Sequence, residues 1–367
     1  MLVSSFIVYS VLILITSEYS PFFTMAKNLP KTMKAVGLYK YLPLTDPNCL
    51  LDLELNLPMI KKDEVLVEVK AISVNPIDTK LRSPKPIIET SPRILGWDGS
   101  GTVVGRGDGC KIFNIGDPVF FTGDLRKNGS NAQYVALNEI MVGSKPKNLT
   151  FEEAAAMPLT AVTAYESLFD RLMLSKNDAG KSLLIINSAG GVGAVASQLA
   201  NNLGLKVIGT ASRNETEMYT LEHGSHFVLN HTKDLLPQLE EKGFKEVDFI
   251  MVNYDPYPYW DTMMKAIKPQ GKICLIVDSS GLIDLKPLKD KSITLVSEMM
   301  LTRIKYETED MFRHHEILQE VSKMLDSGIL KSTVTKVLSP INADNLKEAH
   351  KLLESKRMIG KVVLSGF

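Results

Sequence analysis

The chain has 367 residues, with 42 lysines and arginines against 42 aspartates and glutamates. That length accommodates two ordinary domains, and a net charge of zero argues against a nucleic-acid partner, which calls for a basic surface. Apolar residues make up 44% and charged residues 23%, the profile of a chain that buries a large core. Cys49, Cys110 and Cys274 are far apart. They form neither a CxxC pair nor an even set, which excludes a zinc ribbon and a disulfide scaffold and favours a reducing, cytoplasmic setting.

Leu2 to Ile15 is nearly all apolar, and no charge appears before Glu18. The run falls short of the roughly 20 residues of a spanning helix. It also lacks the basic residues that precede a secretory signal. Three readings stay open: a start placed too far upstream, with Met25 and Met33 as alternatives, an uncleaved anchor, or a signal. Residues 1–32 are therefore set apart as a hydrophobic extension, and a membrane enters only if they are retained as an anchor.

From Met33 to about Thr150 the pattern is short strands with turn punctuation. Glu64 to Lys70 alternates with period two, as a half-buried strand does. Gly99 to Gly109 carries five glycines around Thr102-Val103-Val104, and Asn114-Ile115-Gly116-Asp117-Pro118 is a turn before Val119-Phe120-Phe121. This half reads as a compact β barrel. After Glu152 the texture changes to β/α alternation. Ser182–Ile186, Lys206–Thr210, Phe227–Leu229, Val247–Val252, Lys272–Val277 and Ile293–Val296 are apolar strand-length runs with helical connections. Six such runs describe a doubly wound parallel sheet covered on both faces. The tail adds helices over about Glu309–Leu325 and Asp344–Lys356 and a last strand Gly360–Leu364.

The chemistry is concentrated where strand Ser182–Ile186 runs into Asn187-Ser188-Ala189-Gly190-Gly191-Val192-Gly193 and then a helix. Backbone N–H groups at such a helix start face an anion, and the missing side chains admit a pyrophosphate. Ser188 stands where the first glycine of the dinucleotide pattern would, with Gly190 second and Gly193 third; Gly191 and Val192 complete the loop. About 20 residues on, an acid would bind the ribose 2′-hydroxyl of NAD. The strand here ends Thr210-Ala211-Ser212-Arg213. Ser212 and Arg213 can donate to a 2′-phosphate through charge-assisted hydrogen bonds, which predicts NADPH. The competing reading leaves Arg213 solvated and gives the ribose to Glu215.

Five further segments occur in a recognisable order: Ala71-Ile72-Ser73-Val74-Asn75-Pro76-Ile77-Asp78, Leu95-Gly96-Trp97-Asp98-Gly99-Ser100-Gly101, Ile115 to Val119, Met157 to Ala164, and Gly360 to Leu364. With the glycine loop, they make Met33 to Phe367 resemble the medium-chain dehydrogenase/reductase superfamily, in its zinc-free quinone-oxidoreductase-like branch. Ala211-Ser212-Arg213 and Met358-Ile359-Gly360-Lys361 look most like the proteins called zinc-type alcohol dehydrogenase-like. The resemblance implies an α/β architecture, a GroES-like β-barrel domain plus a Rossmann doubly wound parallel sheet. Residues 33–155 would form the catalytic domain, 156–300 the nucleotide-binding domain, and 301–367 a segment returning to the first. It also implies a homodimer.

In zinc-dependent members of the superfamily the positions of Asn75, Trp97 and Leu159 hold the catalytic metal. Indole and alkyl side chains do not ligate zinc, and an amide is a poor ligand against the N and S donors zinc prefers. His314 and His315 are adjacent on a helix and point apart, while His223, His226 and His231 read as surface or loop residues. No metal site is therefore expected. The resemblance places Asn75 facing the nicotinamide ribose and substrate oxygen, and Asp78 beside it as a residue holding the loop ahead of a general base. Lys80 stands where many zinc-free members carry a tyrosine. Thr163 would approach the nicotinamide, Asn230 or His231 the adenosine end, and Asn253 and Val277 the strand ends lining the cleft. Lys361 either reaches the cofactor or sits in solvent.

Reading and resemblance together imply an NADPH-dependent oxidoreductase that reduces a small electrophile, a quinone or an α,β-unsaturated carbonyl, by direct hydride transfer without metal. Two rivals are a zinc-using alcohol dehydrogenase and a non-catalytic NADPH-binding redox sensor.

Overall fold

The computed structural model describes residues 23–26 and 28–367. The apolar stretch Leu2–Ile15 lies outside the described residues. Phe23–Met25, from the segment set apart above, is a short strand that pairs antiparallel with Asp98–Gly107. No described helix is long and apolar enough to cross a membrane.

Two sheets build the first half, antiparallel throughout except where Val334–Leu338 joins the larger in parallel beside Lys361–Ser365. In the larger, Glu64–Ser73 lies between Asp98–Gly107 and the carboxyl-terminal strand Lys361–Ser365, and Asp98–Gly107 continues to Pro118–Thr122 and Val142–Ser144. The chain's end is thus a structural strand of its first half. Glu64–Ser73 is buried on nearly all its positions, not half-buried as its alternation suggests, because sheet and loops cover both faces. A smaller sheet joins Leu51–Asn56, Thr32–Tyr41 and Lys85–Ile94. Trp97, Phe121, Leu38 and Ile72 fill the core between them.

The second half is a six-stranded parallel sheet. In space its strands run Phe227–Asn230, Lys206–Ala211, Ser182–Ile186, Val247–Val252, Ile267–Leu275 and Thr294–Ser297. Successive side chains of Ser182–Ile186 point to opposite faces. Leu183 and Ile185 enter one apolar core, Leu184 and Ile186 the other, so the run is continuously apolar. Chain order reverses between Ser182–Ile186 and Val247–Val252, and the carboxyl ends of the strands at such a reversal are where sheets of this kind bind ligands.

Candidate active site

The turn after Ser182–Ile186 is shaped by Asn187, whose φ of 61° is left-handed, an arrangement asparagine tolerates. Ser188 is fully buried. Its hydroxyl donates to Thr210 O at 3.0 Å, so it braces the loop from beneath and is turned away from solvent. Gly190 is the N-cap of the 12-residue helix Gly191–Asn202. A Cβ on Gly193 would lie 2.5 Å from Ser188 Cα, so glycine there permits close packing of helix on strand. A Cβ on Gly190 would meet nothing nearer than 3.8 Å. No protein atom claims that space, which is the opening an incoming pyrophosphate needs. Val192 packs half-buried against the core. The carboxyl-terminal strand pins the loop: Gly360 N–H donates to Ala189 O at 2.9 Å.

Ser212, Arg213 and Asn230 line a cavity of about 350 Å³ beyond the ends of two neighbouring strands. Lys242, Glu217 and Glu241 complete its charged rim. The Arg213 guanidinium donates to Arg357 O at 2.9 Å, and Glu215 stands 3.7 Å from its Nε. Asn230 spends its side-chain oxygen on Thr232 N–H at 2.9 Å. His231 Nδ1 lies 3.3 Å from Thr210 Oγ1, and burial holds its pKa below the usual histidine value. At the reversal of chain order, Asn253 buries both side-chain amide atoms without a partner. A buried unpaired amide costs free energy, and a bound dinucleotide with an amide of its own would relieve it. Val277 is half-buried in the turn two residues beyond Ile267–Leu275, so it is not a strand end. Thr163 donates its hydroxyl to Leu159 O at 2.8 Å within its own helix, leaving the oxygen free to accept. Ser212, Arg213, Asn230, His231 and Asn253 stand at the carboxyl edge of the sheet and Thr163 on the separate helix Pro158–Tyr165, a set of polar groups that suits a dinucleotide.

Beneath the loop lies a cluster that sequence reasoning did not assemble. Asn75 precedes the helix Pro76–Arg82, and its backbone N–H donates to Asp78 Oδ2 at 2.7 Å. Its amide nitrogen donates to Asp98 Oδ2 at 3.0 Å, and its amide oxygen accepts from the Lys361 ammonium. The Asn75 amide is therefore bonded inside the protein, and the residue is 1% exposed. Asp98 Oδ1 accepts from Leu159 N–H at 3.1 Å. Lys361, neither solvated nor free, is 4% exposed and also donates to Asp98 Oδ2 at 3.2 Å and Val74 O at 3.1 Å. Desolvation drives Asp98 up and Lys361 down in pKa, and the contact between them pulls both back. Burial raises Asp78 to about 7, against hydrogen bonds from Asn75 and Gly96. Asp98 went unnoticed because one acid among glycines carries no periodic signal; a carboxylate inside an otherwise apolar or small-residue strand was the available clue. At the rim, Lys80 Nζ stands 4.0 Å from Asp278 Oδ2.

As a donor set, Asn75, Trp97 and Leu159 do not fit zinc. The amide is engaged by Asp98 and Lys361, and the other two offer an indole and an alkyl chain. Among the described residues no three His, Cys, Asp or Glu side chains cluster as a metal site. His314 and His315 do point apart, but both are buried, one on Thr122 Oγ1 at 2.7 Å and the other on Val142 O at 2.6 Å. His223, expected at the surface, is buried and stacked on Tyr219.

The models of an alcohol dehydrogenase GroES-like domain and a zinc-binding dehydrogenase match residues 61–162 and 223–364. A zinc-type alcohol dehydrogenase-like protein of Staphylococcus epidermidis is 42% identical over 336 residues, 91% of this chain and 99% of that one. A 2-methylene-furan-3-one reductase of Solanum lycopersicum is 30% identical over 351 residues, 92% of this chain and 80% of that one. The solved structure of Escherichia coli quinone oxidoreductase complexed with NADPH is 26% identical with a TM-score of 0.74, covering 90% of this chain and 99% of that one. Sheet order, glycine loop and these likenesses agree, and the chain belongs to the medium-chain dehydrogenase/reductase superfamily, as an oxidoreductase with that family's nicotinamide-dinucleotide-binding fold.

Proposed function

We propose that the protein is an NADPH-dependent reductase of quinones or α,β-unsaturated carbonyls that works without a metal. The observation that carries this reading is the state of the three positions a catalytic zinc would need. They hold an amide already bonded to Asp98 and Lys361, an indole, and an alkyl side chain. Alcohol oxidation requires a strong means of deprotonating a hydroxyl, which zinc supplies by lowering its pKa. Addition to an electron-poor carbon requires less. The reduced nicotinamide, when bound, supplies a hydride to such a carbon.

The chain's own residues bind and orient. Gly190 leaves room for the pyrophosphate at the start of helix Gly191–Asn202, and Ser212 and Arg213 offer a hydroxyl and a guanidinium to a 2′-phosphate. To the reacting end we assign the unpartnered Asn253 amide and the Thr163 oxygen. Asn75 and Asp78 hold the floor of the cleft and exchange no proton with substrate. The names of the tomato furanone reductase and the NADPH-bound bacterial quinone oxidoreductase support the same chemistry.

The test is oxidation of NADPH and NADH by the purified full chain against quinones and 2-enals. NADPH is expected to be preferred by about 10-fold to 100-fold, and Arg213→Ala to lose about 10-fold of that preference. An NADH preference overturns the 2′-phosphate assignment. Chelator-sensitive alcohol oxidation overturns the metal-free reading, and cofactor binding without turnover on any electrophile favours a redox sensor.

A further inference from the structure

Lys361 comes from the last strand of the chain, yet it touches both parts of the site. A lysine ammonium has three donors and no acceptor. Lys361 places all three, on Val74 O, Asn75 Oδ1 and Asp98 Oδ2, inside a protein interior where a stray charge would be costly. Its stem leans on the dinucleotide loop: a Cβ on Gly191 would lie 2.7 Å from Lys361 Cδ and 2.9 Å from Thr160 Cγ2. The backbone fixes where the stem begins, since Gly360 N–H donates to Ala189 O and Lys361 N–H to Thr333 O at 2.8 Å.

The two ends of an asparagine amide are alike in shape and opposite in hydrogen bonding. A donor-only ammonium on one side and an acceptor-only carboxylate on the other leave Asn75 a single orientation, oxygen to Lys361 and nitrogen to Asp98. Without Lys361 the Asn75 amide oxygen loses its donor and is held from one side only, and Asp98 is left as a buried charge without its counter-ion.

We infer that Lys361 is a positioning residue of the reductase site: its ammonium fixes the Asn75 amide, and its stem couples the dinucleotide loop at Gly191 to the floor of the cleft. The inference rests on the reading of Asn75 as part of that cleft. Neighbouring chemistry agrees with it. Leu159 N–H, from the helix that carries Thr163, is held by the same Asp98 carboxylate, so three separate segments of chain, at Asn75, Leu159 and Lys361, converge on that one side chain.

Two experiments test it. In Lys361→Met/Asp98→Asn, which removes both charges together, kcat for a quinone is expected to fall about 10- to 100-fold while the NADPH dissociation constant moves less than about 3-fold. An unchanged kcat overturns the positioning role. The second is a double-mutant cycle of Gly191→Ala and Lys361→Ala, read as NADPH affinity by fluorescence titration and as melting temperature without cofactor. Shortening Lys361 removes one of the two side chains that an alanine at 191 meets, so the Gly191→Ala defect should shrink by at least about 5-fold in affinity in the Lys361→Ala background. Strict additivity in both readouts overturns the coupling. This cycle needs no turnover and no folding of the charge-free variant, so it fails separately from the assigned reaction.

Discussion

The two surfaces that meet at Gly191 are made of opposite materials. On the nucleotide side, Asn187 to Gly193 contains no charged side chain and works through backbone N–H groups and omitted side chains. On the other side, two carboxylates and an ammonium, Asp78, Asp98 and Lys361, are buried to 4% exposure or less. Backbone donors attract an anion without desolvating any side chain, so the loop is inexpensive to build and depends on its ligand for completion. Buried charges serve each other, and their partners are other parts of the chain. The loop should therefore be sensitive in binding, and the floor in stability.

The largest effect expected from this contrast is at Asp98. Asp98→Ala leaves Lys361 a buried cation and frees Asn75 Nδ2 and Leu159 N–H at once. Removing one partner of such a pair costs about 3–5 kcal/mol, measurable as a shift of the urea midpoint at unchanged slope. A loss below about 1 kcal/mol would mean that Lys361 is already neutral in the fold, and the contrast would fail.

Within the loop the contrast can be sharpened with two glycines three residues apart. Gly193→Ala forces a Cβ to within 2.5 Å of Ser188 Cα, a backbone atom that cannot step aside. About 1–3 kcal/mol of stability should go with it, along with NADPH binding. Gly190→Ala meets nothing within 3.8 Å, so the melting temperature should hold while NADPH affinity falls. Equal melting temperatures for the two variants would show that the helix moves to absorb either side chain, and that neither glycine is reserved for a ligand.

The same contrast explains what could be read from the sequence. Loop residues 187–193 are contiguous and lie between a strand and a helix of recognisable period, so the pattern of a dinucleotide loop can be read from them without the rest of the chain. The strands Ser182–Ile186 and Val247–Val252 were equally plain, because burial on both faces leaves an unbroken apolar run. The floor is assembled from positions 75, 98, 159 and 361, on four elements, and no local pattern joins them. Resemblance pointed to Asn75 and Asp78 but turned Asn75 toward the substrate, whereas Lys361 and Asp98 engage its amide. Val277 was placed on a strand that ends two residues earlier. The segment Thr79 to Arg93 divides between the helix ending at Arg82 and the strand Lys85–Ile94, and that strand gains its place by pairing with the distant Thr32–Tyr41.

The smallest effect separates two kinds of buried titratable group on the catalytic side. His350 is fully buried, its Nδ1 accepts from Arg82 Nε at 3.2 Å, and burial, seconded by the Arg82 charge, pushes its pKa down to about 3. An unfolded histidine titrates near 6.5, so between pH 6.5 and about 3 the unfolded chain holds a proton that the folded chain refuses. Stability from His350 is thus present above 6.5 and lost as pH falls. Asp78 has the opposite sign: raised to about 7, it keeps a proton in the fold that the unfolded chain gives up above about 4, so its contribution is lost as pH rises toward 7. The two slopes oppose each other across the same interval, and the wild-type profile alone cannot separate them. His350→Asn can, because an asparagine oxygen still accepts from Arg82 but does not titrate. Its stability deficit relative to wild type should narrow by about 1 kcal/mol between pH 7 and 5.5, as the wild type alone loses the histidine's contribution. A deficit that stays constant would mean that the folded protein accepts a proton at His350 beside Arg82, and that the interior on this side is far more polar than its packing implies.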